Sequence, residues 1–448
     1  MTLTDQAELT VGDSDGTPLR SSATRRLIVF LLGLLSGVAA ILIGLIVLLD
    51  SEDPSLLLSA SDGRITRLDP ETGQTIFSVT ESVIAPDGSA VYRVDESNDR
   101  PVVQRIDPIS GVVQSEQAIP TKLAVRVVGV GGTAAVLTPV GQGSKGLYAP
   151  VARETTDLTV VWKDGRDPKT FNLTGNFEPE TFTVDGSVLY LLEFIPATDP
   201  DHYLVRKLNL GTGEITDVYS PEVELNPEMR GHARAQVVDP AGTFMYTLYT
   251  LGNGQPLKAE GETRYGFVHV ISLTKDWSYC IFLPEPIGQR ESAMGLAMDP
   301  GGEFLYVMDS VAQIVAEIDT GKLEVTRSAS IPLQVGGPSG KAPMAVSTEA
   351  GRLFITDGFT VFAVELETMN PTLGWNLSAP PPAEIIDIRI SNDGRELWVL
   401  TQRQIHVVDL GEMAAVRKIT VTADDGAFVD AEVPATKFDD ISKFVCVC

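Results

Sequence analysis

The sequence predicts an all-β chain, a β-propeller of four-stranded blades that follows one N-terminal transmembrane helix. Three observations predict it: a glycine-punctuated repeat of about fifty residues, a second strand pattern in step with the first, and a single long run without charge. With 448 residues, 43% hydrophobic and 21% charged, the chain is neither disordered nor collagenous. Its 60 acidic residues against 34 basic ones give a formal charge of −26, which repels nucleic acid at long range. No nucleic-acid partner is expected.

Residues 27–49 read LIVFLLGLLSGVAAILIGLIVLL, 23 positions without a charge. As a helix, rising about 1.5 Å per residue, they cover the roughly 30 Å of a bilayer's hydrocarbon. The run is longer than the apolar part of a cleaved signal, and acids rather than a small-residue cleavage site follow it, so a retained anchor is expected. Arg20, Arg25 and Arg26 precede the span, which leaves the N-terminus in the cytoplasm by the positive-inside rule. The expected organisation is a disordered cytoplasmic tail over 1–26, the anchor over 27–49 and an extracytoplasmic domain over 50–448 in the cell membrane. That outer domain carries 56 acids and 31 bases.

Short apolar segments recur after a turn containing glycine: AVYRVDE, AAVLTPV, VLYLLEF, FMYTLYT, FLYVMDS, LFITDGF and ELWVLTQ. The glycines before them, Gly88, Gly132, Gly186, Gly242, Gly302, Gly351 and Gly394, sit 43 to 60 residues apart. That period fits a four-strand unit, and the Asp and Gly of PDG, DPAG, DPGG and NDG suit tight turns between strands. A second register follows each strand after a loop, as in ITRLDPETG, VQRIDPISG, VRKLNLGTG, VHVISLTKD, VAEIDTGKL, VFAVELETM and IHVVDLGEM. Counting adds a first unit at SLLLSAS that lacks its innermost strand. A segment within 422–448, such as AFVDAEV at 427, is expected to supply that strand and close the ring. Eight blades are predicted. Seven is the alternative, because the stretch from Lys122 to Thr174 is irregular.

The segment from Met298, MDPGGEFLYVMDSVAQIVAEIDTGKLEV, resembles a repeat of the YVTN family of β-propellers, with YVMD standing where that family has YVTN. Asp309 takes the place of the family's Asn. The first unit, DGRITRLDPETGQTIFS, is similar to the repeats of quinoprotein-type propellers. These resemblances imply the fold and a role in extracytoplasmic binding or scaffolding, without carrying over an activity or a site.

Catalytic signatures are absent: no HExxH, GxSxG, P-loop or CxxC occurs, and His202, His232, His269 and His406 lie far apart in the chain. Gly141 to Gly146 satisfies GxGxxG, but no helix pattern follows to cradle a phosphate. Quinoprotein propellers dock their blades with a Trp in nearly every repeat, and this chain has four, so no quinone is expected; the histidines lack paired carboxylates at ligand spacing, so no metal or other cofactor is expected either. Cys280 reads as a small apolar residue on an outer strand, while Cys446 and Cys448 fit either a free thiol pair or a link to another chain.

In a propeller the loops joining second to third strands emerge on the same face as those joining one blade to the next. These are the long connections here, and they hold Arg230, His232, Arg234, Arg264, Arg290 and Lys341. Guanidinium groups clustered there could hold carboxylate or phosphate, so these six form the expected ligand-binding set. Pairing with acids of the same loops, Glu291 among them, is the competing reading. The expected function is a non-enzymatic binding module of the cell envelope, meeting an envelope protein, peptide or anionic polymer. The alternative is a propeller lyase or hydrolase acting on an extracytoplasmic sugar or lactone.

Overall fold

The computed structural model describes residues 56–60, 64–97, 100–142, 151–220, 229–251, 257–259, 262–332, 342–376, 384–401, 404–420 and 441–445. Within them eight four-stranded antiparallel sheets follow one another along the chain. The chain is an eight-bladed β-propeller. Strands are numbered here one to four from the innermost outward.

Blade 3 decides between eight and seven. Its strands, Leu123–Val128, Ala134–Pro139, Thr155–Trp162 and Lys169–Thr174, form a complete sheet within the stretch that looked irregular. The irregularity comes from the long connection between its second and third strands. Blade 1 takes its second to fourth strands from Leu56–Ala60, Ile65–Leu68 and Thr75–Val79, and its innermost from Ile441–Val445, with Leu57 opposite Val445. The ring thus closes through a strand from the far end of the sequence. The segment AFVDAEV lies outside the described residues, as does the expected membrane span at 27–49. Among the described residues no helix is long and apolar enough to cross a membrane.

All seven glycines singled out by the repeat adopt positive φ, between 58° and 74°. They build the turns between first and second strands, where left-handed backbone favours glycine. These turns and those between third and fourth strands share one face, the turn face. The longer connections share the other, the loop face. The chain enters blade 1 at Leu56 on the turn face.

The core is divided among the blade interfaces. Tyr190, Phe194, Tyr203, Tyr249 and Phe267 fill the space between blades 4 and 5. Leu58 and Leu68 of blade 1 meet Trp398, Leu400 and Ile419 of blade 8 across the closure. Burying each such side chain contributes about 1.5–3 kcal/mol. Neighbours are also tied by donors on aromatic rings: Tyr92 Oη to Gly132 O at 2.8 Å, Trp162 Nε1 to Gly186 O at 3.0 Å and Tyr190 Oη to Ser272 O at 2.9 Å. Each reaches a turn of the next blade. The docking role expected of tryptophan is therefore carried largely by tyrosine.

Candidate functional site

Innermost strands run from the loop face to the turn face, so their first residues form the mouth of the ring. In blades 3, 4 and 5 these strands are Leu123–Val128, Asn176–Phe182 and His232–Val238. Each is interrupted by a β-bulge: the register breaks between Val125 and Val127, between Pro179 and Thr181, and between Ala233 and Ala235. The extra residues are Arg126, Glu180 and Arg234. A bulge leaves its extra residue without a partner in the ladder and re-aims its side chain, and such features concentrate beside functional sites. Two further innermost strands are bulged, in blade 8 at the apolar Ile386 and in blade 1 at the uncharged Ser442, so the charged ones fall on three consecutive blades.

Around them the polar groups interlock. Arg153 Nη2 donates to Glu178 Oε1 at 2.7 Å, and Arg126 Nη2 stands 3.7 Å from Glu178 Oε2. Side chains of Arg153 and Glu178 are only 11% and 10% exposed, so removing either would strand a buried charge at a cost of about 3–5 kcal/mol. Arg153 also donates through Nε to Thr156 Oγ1 at 3.1 Å and through its Nη groups to the carbonyls of Gln142 and Phe177. It clamps the long connection of blade 3 onto blade 4. Glu180 Oε1 accepts from Gln236 Nε2 at 3.1 Å, and the same amide reaches Thr247 Oγ1 at 3.1 Å. Arg234 donates to Thr250 Oγ1 at 2.6 Å and to Glu291 Oε2 at 2.7 Å, the latter across the connection from blade 5 to blade 6.

From this mouth a polar row crosses blade 5. Gln236, Thr247, His269 and Cys280 lie directly opposite one another on its four strands. Gln236 is exposed, Thr247 and His269 are buried, and Cys280 is half-buried on the outermost strand. Burial pushes His269 down to about 3, so it is neutral at ordinary pH. Burial, with the neighbouring Glu180 carboxylate, raises the Tyr203 phenol well above its usual value. His406 occupies the matching position in blade 8, opposite Val399, and is lowered first by burial and then by Lys418. Both imidazoles are packed within blades, as strand-borne histidines usually are.

The predicted binding residues share the loop face. Arg230 and His232 are exposed at the start of blade 5, and Arg290 is exposed between blades 5 and 6. Arg264 is half-buried on a two-stranded ribbon, Leu257–Ala259 against Glu262–Arg264, between the second and third strands of blade 5. Lys341 lies outside the described residues. Within the set, Arg234 is committed to Glu291, which is the pairing with loop acids that the sequence offered as the competing reading. Arg126, Arg153, Glu178, Glu180 and Gln236 escaped sequence reasoning. Their signal was present as a charged residue breaking an apolar strand, as in AVRVV and FEPETF. Among the described residues no group of three or more His, Cys, Asp or Glu side chains could hold a metal ion.

No family model and no curated protein matches the chain. Among solved structures, apo AztD from Citrobacter koseri superposes with a TM-score of 0.51 at 11% identity, over 82% of this chain and 95% of that one. The likeness is one of fold. The dihydro-heme d1 dehydrogenase NirN gives 0.47 at 11% identity over 84% of this chain and 76% of that one. Hydrazine synthase from Kuenenia stuttgartiensis gives 0.38 at 15% over 72% and 93%. AztD and NirN are propellers too.

Proposed function

We propose that the protein is a binding module of the cell envelope, anchored by residues 27–49, that engages its partner at the loop-face mouth of blades 3 to 5. The reading rests above all on the three consecutive bulges that turn Arg126, Glu180 and Arg234 out of their ladders along the strands that line the ring, with Arg234 nearest that mouth. The apolar run before the propeller and the resemblance of one blade to YVTN repeats point the same way. Mixed guanidinium and carboxylate groups suit a partner with both acidic and hydrogen-bonding groups, such as a protein segment or an anionic polymer.

The test uses the full chain in lipid nanodiscs as bait for cell-envelope extract. Salt-sensitive retention that falls at least tenfold in the double variant Arg126→Ala with Arg234→Ala supports the reading. Equal retention by bait and variant would sink it. Glu178 and Glu180, carboxylates buried on an innermost strand, are what a lyase or hydrolase reading would draw on. Turnover of an extracytoplasmic sugar or lactone, abolished by Glu180→Gln, would replace the binding reading.

A further inference from the structure

Large apolar side chains are strongly exposed at few described positions, and four of them gather in one place. Ile76 is 47% exposed, Ile109 37%, Val112 59% and Val113 39%. Ile76 is the second residue of the outermost strand of blade 1, Thr75–Val79, Val113 opens that of blade 2, and Ile109 and Val112 belong to the turn before Val113. All four therefore sit at the turn-face rim of two adjacent blades. The blade 1 strand and the blade 2 turn that carry them adjoin, because a Cβ added at Gly111 would come within 2.7 Å of the ring of Phe77, the residue after Ile76.

The same rim is where the chain enters the propeller. Leu56, the first residue of blade 1's second strand, lies two strands inward of Ile76, or about 10 Å at the usual strand spacing. Only residues 50–55 separate it from the last apolar residue of the expected anchor, Leu49. Six residues reach at most about 20 Å. A short tether and an exposed apolar rim thus coincide on one side of the ring.

We propose that Ile76, Ile109, Val112 and Val113 form a lipid-contacting rim that rests on the bilayer surface. This inference depends on the anchor reading above. Exposed apolar clusters mark interaction surfaces, and aliphatic side chains at a membrane interface leave water at about 25 cal/mol per Å². Asp69 and Asp107 flank the rim on the turns that lead into the two outermost strands, so the surface it suits is zwitterionic rather than anionic. Lipid on the turn face leaves the loop-face mouth open to the partner.

The experiment places an environment-sensitive fluorophore on a single cysteine in the full chain, with Cys280, Cys446 and Cys448 replaced by serine, in phosphatidylcholine vesicles. Val112→Cys and Ile76→Cys report the rim. Val140→Cys, 58% exposed on the loop face, is the control. Spin-labelled lipid is expected to quench the rim labels at least threefold more than the control, and Ile109→Asp to abolish the difference at residue 76. Equal quenching at all three sites, in a chain that floats with the vesicles, would overturn the rim proposal while leaving the anchor intact. A chain that does not float after alkaline washing overturns the anchor reading and the rim with it.

Discussion

Asp309 holds two connections of the loop face with one carboxylate. Oδ1 accepts from the N–H groups of Val311 at 3.0 Å and Ala312 at 2.9 Å, while Oδ2 accepts from Gly288 N–H at 2.8 Å in the connection from blade 5. The asparagine of YVTN repeats would present an amide donor to Gly288, where an acceptor is needed. Asp309→Asn is therefore expected to destabilise the protein by about 1–3 kcal/mol, read as a lower urea midpoint. His269 gives a second test at this scale. Its folded value of about 3 lies below the roughly 6.5 of an exposed imidazole, so the unfolded chain binds more protons between the two. Its contribution is in place above about pH 6.5 and is lost as pH falls toward 3. Thermal midpoints measured across that window should decline, and His269→Gln should flatten the decline. The equivalence of His269 and His406 could be read from VHVIS and IHVVD. The company each keeps could not, because the facing residues Thr247 and Val399 follow from register.

Turns joining third to fourth strands repeat one design with different residues. Asp69 Oδ1 accepts from Glu71 N at 3.0 Å and Thr72 N at 2.7 Å, and Gly73 closes the turn at φ +72°. Gly111 and Gly213 do the same in blades 2 and 4, whereas Leu323, Met369 and Met413 adopt φ of 53° to 58° at the matching positions of blades 6 to 8. Such residues in left-handed backbone cost of order 1 kcal/mol each, offset by the packing of their side chains. Gly73→Ala is expected to cost more, about 2–3 kcal/mol, because its Cβ would lie 2.8 Å from Thr420 O of blade 8 as well as in a strained backbone. The check is a denaturant melt. The Thr72 backbone N–H, then its hydroxyl, hold Asp69 below the usual carboxylate range, the Lys322 ammonium does so for Asp319, and the Ser391 hydroxyl for Asp393. Lowered folded values mean that these carboxylates stabilise above about pH 4 and lose that effect as pH falls through them, so Asp393→Asn should soften acid unfolding below pH 4. At this scale most of the structure was legible, since glycine spacing located every turn that needs a positive φ between first and second strands. The bulges were not, because a break in register depends on the partner strand.

At the scale of the ring, every blade contributes a face to two interfaces, and the last of these depends on Ile441–Val445. Without that strand Leu57, Leu58 and Ser59 would present an unpaired inner edge. Deleting residues 441–445 should lower the thermal midpoint and shift the protein toward aggregates, measured by size-exclusion chromatography with light scattering. The propeller was visible in the repeat, and the missing strand of the first unit in the absence of a segment before SLLLSAS. Blade 3 is among the eight units that the repeat predicts but stands out as irregular, because its second strand, AAVLTPV, lacks the aromatic residue that marks most of the others, and a long connection follows it. Joining the earliest strand of the propeller to its latest also orders events in time. While the ribosome is still reading the message, seven blades can stack, but the first must wait with one side bare. A polypeptide released early, or clipped near its end, would keep that bare side and carry a mark of incompleteness that proteolytic surveillance can recognise.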